Sequence, residues 1–89
     1  MAATVTVRLP PALTSLFPAA PERIEVEAAT VAEAIAALDA RWPGMRDRLC
    51  DSTPKIRRNI NVFVGGRKAR LDTGVAAGGE VVVMTAVTG

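Results

Sequence analysis

The chain has 89 residues, 49% of them hydrophobic, and a formal net charge of +2. That length supports one domain with a modest core, the charge is too small to argue for nucleic acid, and no apolar run is long enough to cross a bilayer. There is no histidine, so the usual general base and the commonest zinc ligand are missing, and the chain is poorly equipped to be an enzyme alone. Its one cysteine, Cys50, has no internal partner and reads as a buried, inert thiol. With no signal-peptide pattern at the start, the expected home is a reducing cytoplasm.

Thr4 to Leu9 alternates, with Val5, Val7 and Leu9 on one side and Thr4, Thr6 and Arg8 on the other, which predicts a strand with one wet face. Pro10 and Pro11 stop it. Leu13, Leu16 and Phe17 form an apolar cluster, predicted as a short turn packed on the sheet edge and ended by Pro18. Pro21 opens a second strand over Arg23 to Val26, with Ile24 and Val26 inward, and a hairpin is the economical connection.

Thr30 begins the clearest helix, with Glu33 placed to complete a capping box. Val31, Ile35, Leu38 and Trp42 fall on one apolar stripe with Ala34 beside it, and Pro43-Gly44 ends the helix. Met45 to Leu49 predicts a further short turn of helix, and Asp51 to Pro54 a loop. Ile60, Val62 and Val64 then face one way, with Asn59, Asn61 and Phe63 on the other. Gly65-Gly66 signals a tight turn, Arg67 to Leu71 a returning strand, and Asp72 to Gly79 a surface loop with little to pack. The closing run Val81 to Met84 has no alternation and predicts a strand buried on both faces at the middle of the sheet.

This order predicts an α+β fold in which a mixed sheet of about five strands packs on one main helix over residues 31–42, with a short second helix near 45–50. The first and last strands are expected to be central and parallel, with the helix in a right-handed crossover. Residues 1–84 would form the body and residues 85–89 an exposed tail, mobile in the free protein.

Two clusters of cations stand out, Lys55, Arg57 and Arg58, and then Arg67, Lys68 and Arg70. They read either as a positive rim that steers docking onto an acidic partner or as ordinary solvated strand ends. No aromatic residue is interleaved with them as a base-stacking platform. Phe63 is a candidate for the same docking surface, or else packs under a neighbouring loop. The aspartates at 39, 47, 51 and 72 have no metal-loop spacing and read as caps, loop residues and surface charge.

Four segments in order, VTVRLPPAL, TVAEAIAALDARWPGMRDRL, NINVFVGGRKAR and GGEVVVMTAVTG, resemble the small sulfur-carrier proteins of the MoaD/ThiS family. They look most like the molybdopterin-synthase small subunit or the carrier used in cysteine synthesis. The resemblance covers nearly the whole chain and implies a ubiquitin-like β-grasp fold. It also implies that the carboxylate of Gly89 is adenylated by an E1-like partner, converted to a thiocarboxylate, and used as sulfur donor to a second enzyme, either a molybdopterin-synthase large subunit or a cysteine synthase.

Thr85, Ala86, Val87 and Thr88 would thread into that partner, while Asn61 and Gly66 would be structural. ATP would belong to the partner, since the chain has no phosphate-cradling glycine loop followed by Lys and Thr. No metal or bound cofactor is implied. Members of the family usually end in Gly-Gly, but Thr88 stands at the penultimate position here and Thr85 stands where a proline is common. A β-branched side chain in place of bare backbone leaves a second reading open: a non-covalent ubiquitin-like interaction module that has lost carrier chemistry.

Overall fold

A computed structural model describes residues 3–53 and 55–85. Within them β1 (Ala3–Arg8) and β2 (Arg23–Ala28) form an antiparallel hairpin in which Val5 opposes Val26 and Val7 opposes Ile24. These four side chains and Leu9 are buried, as their alternation predicts. Pro11, with φ preset for the first helical position, opens α1 (Pro11–Leu16). The apolar cluster expected here divides: Leu13 enters the core and Phe17 is half-buried, but Leu16 is 52% exposed. The helix is too short to hold all three against the sheet, because Phe17 already leaves helical geometry at φ −126° and ψ 76°.

The capping prediction for α2 (Val31–Arg41) holds with one change of partner. The Thr30 hydroxyl accepts from the Glu33 amide at 3.2 Å, while the Glu33 carboxylate accepts from the amide of Ala29 rather than that of Thr30. Val31, Ala34, Ile35 and Leu38 are buried, and Trp42 is the half-buried cap, one residue beyond the helix. Thr30→Ala is expected to lower unfolding free energy by about 1 kcal/mol, as measured by urea denaturation, with an unchanged m-value.

Gly44 takes φ +99°, a value that glycine tolerates, between α2 and α3 (Met45–Leu49). One oxygen of Asp39 accepts from the amides of Gly44 and Arg46, both at 3.1 Å. That carboxylate ties the end of one helix to the start of the next, and Met45 and Leu49 are fully buried beneath it.

The second half of the chain supplies β3 (Ile60–Val64), β4 (Arg67–Lys68) and β5 (Glu80–Thr85). Gly65 and Gly66 both have positive φ and close the two-residue hairpin between β3 and β4. The sheet order is β2-β1-β5-β3-β4, with β5 parallel to β1 and antiparallel to β3. This is the expected mixed, ubiquitin-like β-grasp sheet, in which the first and last strands are adjacent.

Three expectations need correction. The returning strand ends at Lys68, not Leu71. The Ala69 amide still reaches the Val62 carbonyl at 2.7 Å, but Arg70 then turns into a tight loop with Thr73.

Residues 72–79 are not an idle loop. The carbonyls of Leu71 and Thr73 accept the amides of Ala32 and Val31, donors that the first turn of α2 would otherwise leave unpaired. Val75 is buried, and its amide donates to Ala29. Gly79 is required at its position, since a Cβ there would lie 2.8 Å from the Ala76 carbonyl oxygen.

Finally, β5 is central but is covered on one face alone. Val81 and Val83 are buried, whereas Val82 is half-buried and Met84 is 49% exposed. Centrality in the hydrogen-bonding direction does not require a layer on both sides of a sheet.

Candidate functional site

The end of β5 sets the geometry of the site. Thr85, assigned to the tail by the sequence reading, still belongs to β5 and pairs with Ile60; it is the last of the described residues. Ala86, Val87, Thr88 and Gly89, and the expectation of a mobile tail, lie outside the described residues.

The uncovered face of the sheet carries a cross-strand row in which Arg23, Arg8, Val82, Phe63 and Lys68 are successive partners. Met84 lies opposite Asn61, two positions along from Val82. The centre of this face is therefore apolar (Val82, Phe63 and Met84), with cations to either side along the row and Glu25, Glu27 and Glu80 on the same face toward β2. Phe63 is half-buried here. The ion pair of Arg8 with Glu80, 3.9 Å apart and partly exposed, contributes little.

The six docking candidates do not form one surface. Phe63 and Lys68 belong to the open face, and Arg67, opposite Val64, sits at the hairpin turn. Arg57, Arg58 and Arg70 line a cleft at the β3–β4 edge, to which Lys68 and Lys55 also contribute. Val82 and Met84 were missed because a run of apolar residues carries no sign of which member faces outward. Arg8, by contrast, is placed on the wet face by its alternation.

The loop leading into β3 is braced by Asp51. One carboxylate oxygen accepts from the amides of Thr53 and Lys55, both at 2.9 Å, and from the Thr53 hydroxyl. Arg57 is held by its Nε, which donates to the Asp47 carbonyl at 2.7 Å, and by its amide, which donates to Leu49.

The Thr53 hydroxyl, followed by the Thr53 amide, holds the Asp51 carboxyl below its ordinary range. The brace is therefore intact above the ordinary carboxylate pKa of about 3.9 and is lost as pH falls through the lower folded value. Amide resonances of Thr53 and Lys55 are expected to hold their positions through the ordinary carboxylate range and to move only in more acidic solution. Asp51→Asn should abolish that late titration, as followed by two-dimensional NMR.

Burial, the dominant effect, pushes the Cys50 thiol up, so it remains protonated at neutral pH. Among the described residues no group of three His, Cys, Asp or Glu side chains is placed to hold a metal. No helix among them is long and apolar enough to cross a membrane.

The fold and the ordered segments define a class of protein that recurs in known structures. A family model described as the ThiS family matches residues 13–89. A chain of the Amycolatopsis orientalis BexX/CysO complex is 30% identical, with a TM-score of 0.84 over 96% of this chain and 98% of that one. Mycobacterium tuberculosis CysO, an antigen, is 27% identical with a TM-score of 0.82, covering 93% and 99% of the two chains. The small archaeal modifier protein 1 of Haloferax volcanii is 26% identical with a TM-score of 0.80, covering 96% and 99%. No curated protein matches the sequence significantly.

The chain belongs to the ThiS family of β-grasp sulfur carriers. Its class is that of a small protein co-substrate or subunit rather than an enzyme. Carriers of this class work with E1-like adenylating enzymes and sulfur-acceptor enzymes, and the ATP they need is bound by the activating partner.

Proposed function

We propose that Gly89 is the residue of this carrier that bears the sulfur. The observation that carries the reading is the arrangement EVVVMTAVTG, in which a strand locked between two neighbours runs to Thr85 and a glycine follows four residues later. In the proposed cycle the Gly89 carboxylate attacks the α-phosphorus of ATP on the E1-like partner, forming an acyl-adenylate and releasing pyrophosphate. Hydrosulfide then displaces AMP from the acyl carbon, forming the C–S bond as the C–O bond to AMP breaks, and leaves the thiocarboxylate, which is handed on in molybdopterin or cysteine-type biosynthesis.

Ala86, Val87 and Thr88 thread into the partner behind Gly89, and the rigid body behind them limits what must be ordered on docking. The apolar centre of the open face, with Phe63 in it, supplies the broad contact. Its rim is of mixed charge, with Arg23, Arg8 and Lys68 offset by Glu25, Glu27 and Glu80. The apolar centre therefore carries this contact, and the cations at the β3–β4 edge are the ones that would steer an acidic partner. A single, buried, unpaired cysteine fits work in the reducing cytoplasm.

The test is mass spectrometry of the intact protein purified from its host, with fragmentation to localise sulfur at the C-terminus. Exchange of one oxygen for sulfur resembles methionine oxidation in mass, so a thiol-reactive label applied to the native protein is the second readout. Buried, protonated Cys50 reacts slowly under those conditions, so rapid labelling reports the thiocarboxylate. An unmodified Gly89, in a host whose activating enzyme is active, would favour the non-covalent module and identify Thr88 as the lesion.

A further inference from the structure

The two basic clusters, separate in sequence, meet at one place. A cleft of about 490 Å³ opens at the β3–β4 edge of the sheet, between the segment 55–58 and the segment 68–72. Lys55, Arg57, Arg58, Lys68 and Arg70 line it, and Asp72 is the one acidic residue among the described lining. Asp72 stands 3.7 Å from Arg70, with both side chains largely exposed, so it neutralises little. The base of the cleft is apolar: Ile60, Val62 and Ala69 are core residues behind it, and the half-buried Ile56 and Leu71 supply its accessible apolar surface.

The sheet order explains the opening, since β4 is an edge strand of two residues and the chain turns away at Arg70. One wall is already rigid, held by Asp51 and by the bonds of Arg57 to Asp47 and Leu49.

We propose that this cleft docks an acidic peptide segment of a partner protein, with carboxylates set among the five cations and one aliphatic side chain placed against Ile56 and Leu71. Charge complementarity selects the acidic partner. The apolar base favours a peptide over a bare phosphate, which would leave that surface uncovered. Among the described lining residues there is no aromatic side chain on which a nucleic-acid base could stack.

The site borders the open face, with which it shares Lys68 and Asn61, and it does not include Gly89. It rests on the carrier reading only in assigning the segment to one of the enzymes that handle the carrier, for which it supplies a second anchor. Because the walls are exposed and charged, the contact is fast and salt-sensitive.

The experiment is an NMR titration of the full chain with a synthetic peptide, a Val-Ile-Val centre flanked by Asp and Glu. Amide shifts are expected at 55–58, 60–62 and 68–72. Arg58→Glu combined with Arg70→Glu, one exposed cation from each wall, should weaken binding by about tenfold or more. Four outcomes would each overturn the proposal: no shifts at millimolar peptide, shifts confined to the open face around Arg8 and Met84, equal binding of a peptide whose aliphatic centre is replaced by Gly and Ser, or displacement by equimolar inorganic pyrophosphate.

The two readings fail separately. A chain lacking Gly89 should bind the peptide unchanged. Peptide binding by a chain whose Gly89 stays unmodified in a host with an active activating enzyme would sink the carrier reading and leave the cleft standing.

Discussion

A chain from which Gly89 is deleted is expected to lose thiocarboxylate formation completely while unfolding at the same denaturant midpoint as the intact protein. Both halves follow from the position of the residue. Gly89 lies four residues beyond Thr85, which pairs with Ile60, so none of the strand pairings among the described residues includes it. Deletion leaves a terminal carboxylate on Thr88, whose β-branched side chain crowds the reacting carbon and narrows the backbone choices available in a closely fitting partner cleft. The assay is adenylation and sulfur transfer by the host's activating enzyme, read by mass spectrometry. Sulfur transfer by the shortened chain at the intact rate would show that Gly89 is not the site. Thr88→Gly should act in the opposite direction, raising the rate with the body unchanged.

Leu38→Ala should have the largest effect on the body, a loss of about 2–5 kcal/mol. Leu38 is fully buried on the stripe of α2 that covers the sheet, within the one core cluster formed by the described residues. Domains of this kind hold about 5–15 kcal/mol in total, so the change removes a large share of the stability and gives a much lower urea midpoint. A loss below about 1 kcal/mol would mean that the site collapses around the missing atoms, which the packing of α2 between β2 and α3 gives no reason to expect.

Much of this fold is legible in the sequence because its strongest signals are periodic. Val5, Val7 and Leu9 alternate, and Val31, Ile35 and Leu38 recur at helical spacing, so each states its own geometry. Gly65-Gly66 and Gly44 mark backbone that side chains would strain. What the sequence hid is relational. Nothing in Val81-Val82-Val83-Met84 says that helices cover one face and leave the other bare. Nothing in residues 72–79 announces that Leu71 and Thr73 will receive the first amides of α2.

The site divides in the same way. The cations were visible as charges, but their separation into an open-face group, a hairpin-turn residue and a cleft follows from the register of β3 with β4 and from the turn at Arg70. Asp51 looked like one more loop aspartate, because the three donors it collects come together only when the loop closes.

The parallel pairing of β1 with β5 also has a mechanical meaning. A partner that draws the tail inward pulls on β5 along its own axis, while β1 and β3 grip the strand from both sides. The ladder bonds to β3 lie across that axis and those to β1 slant across it, so the load is shared among them in shear instead of opening them one at a time. An edge strand peeled away sideways would unzip, but a central strand pulled lengthwise holds until many bonds fail together. A pull on the chain beyond Thr85 would thus be borne by both ladders of β5 together rather than by one bond at a time.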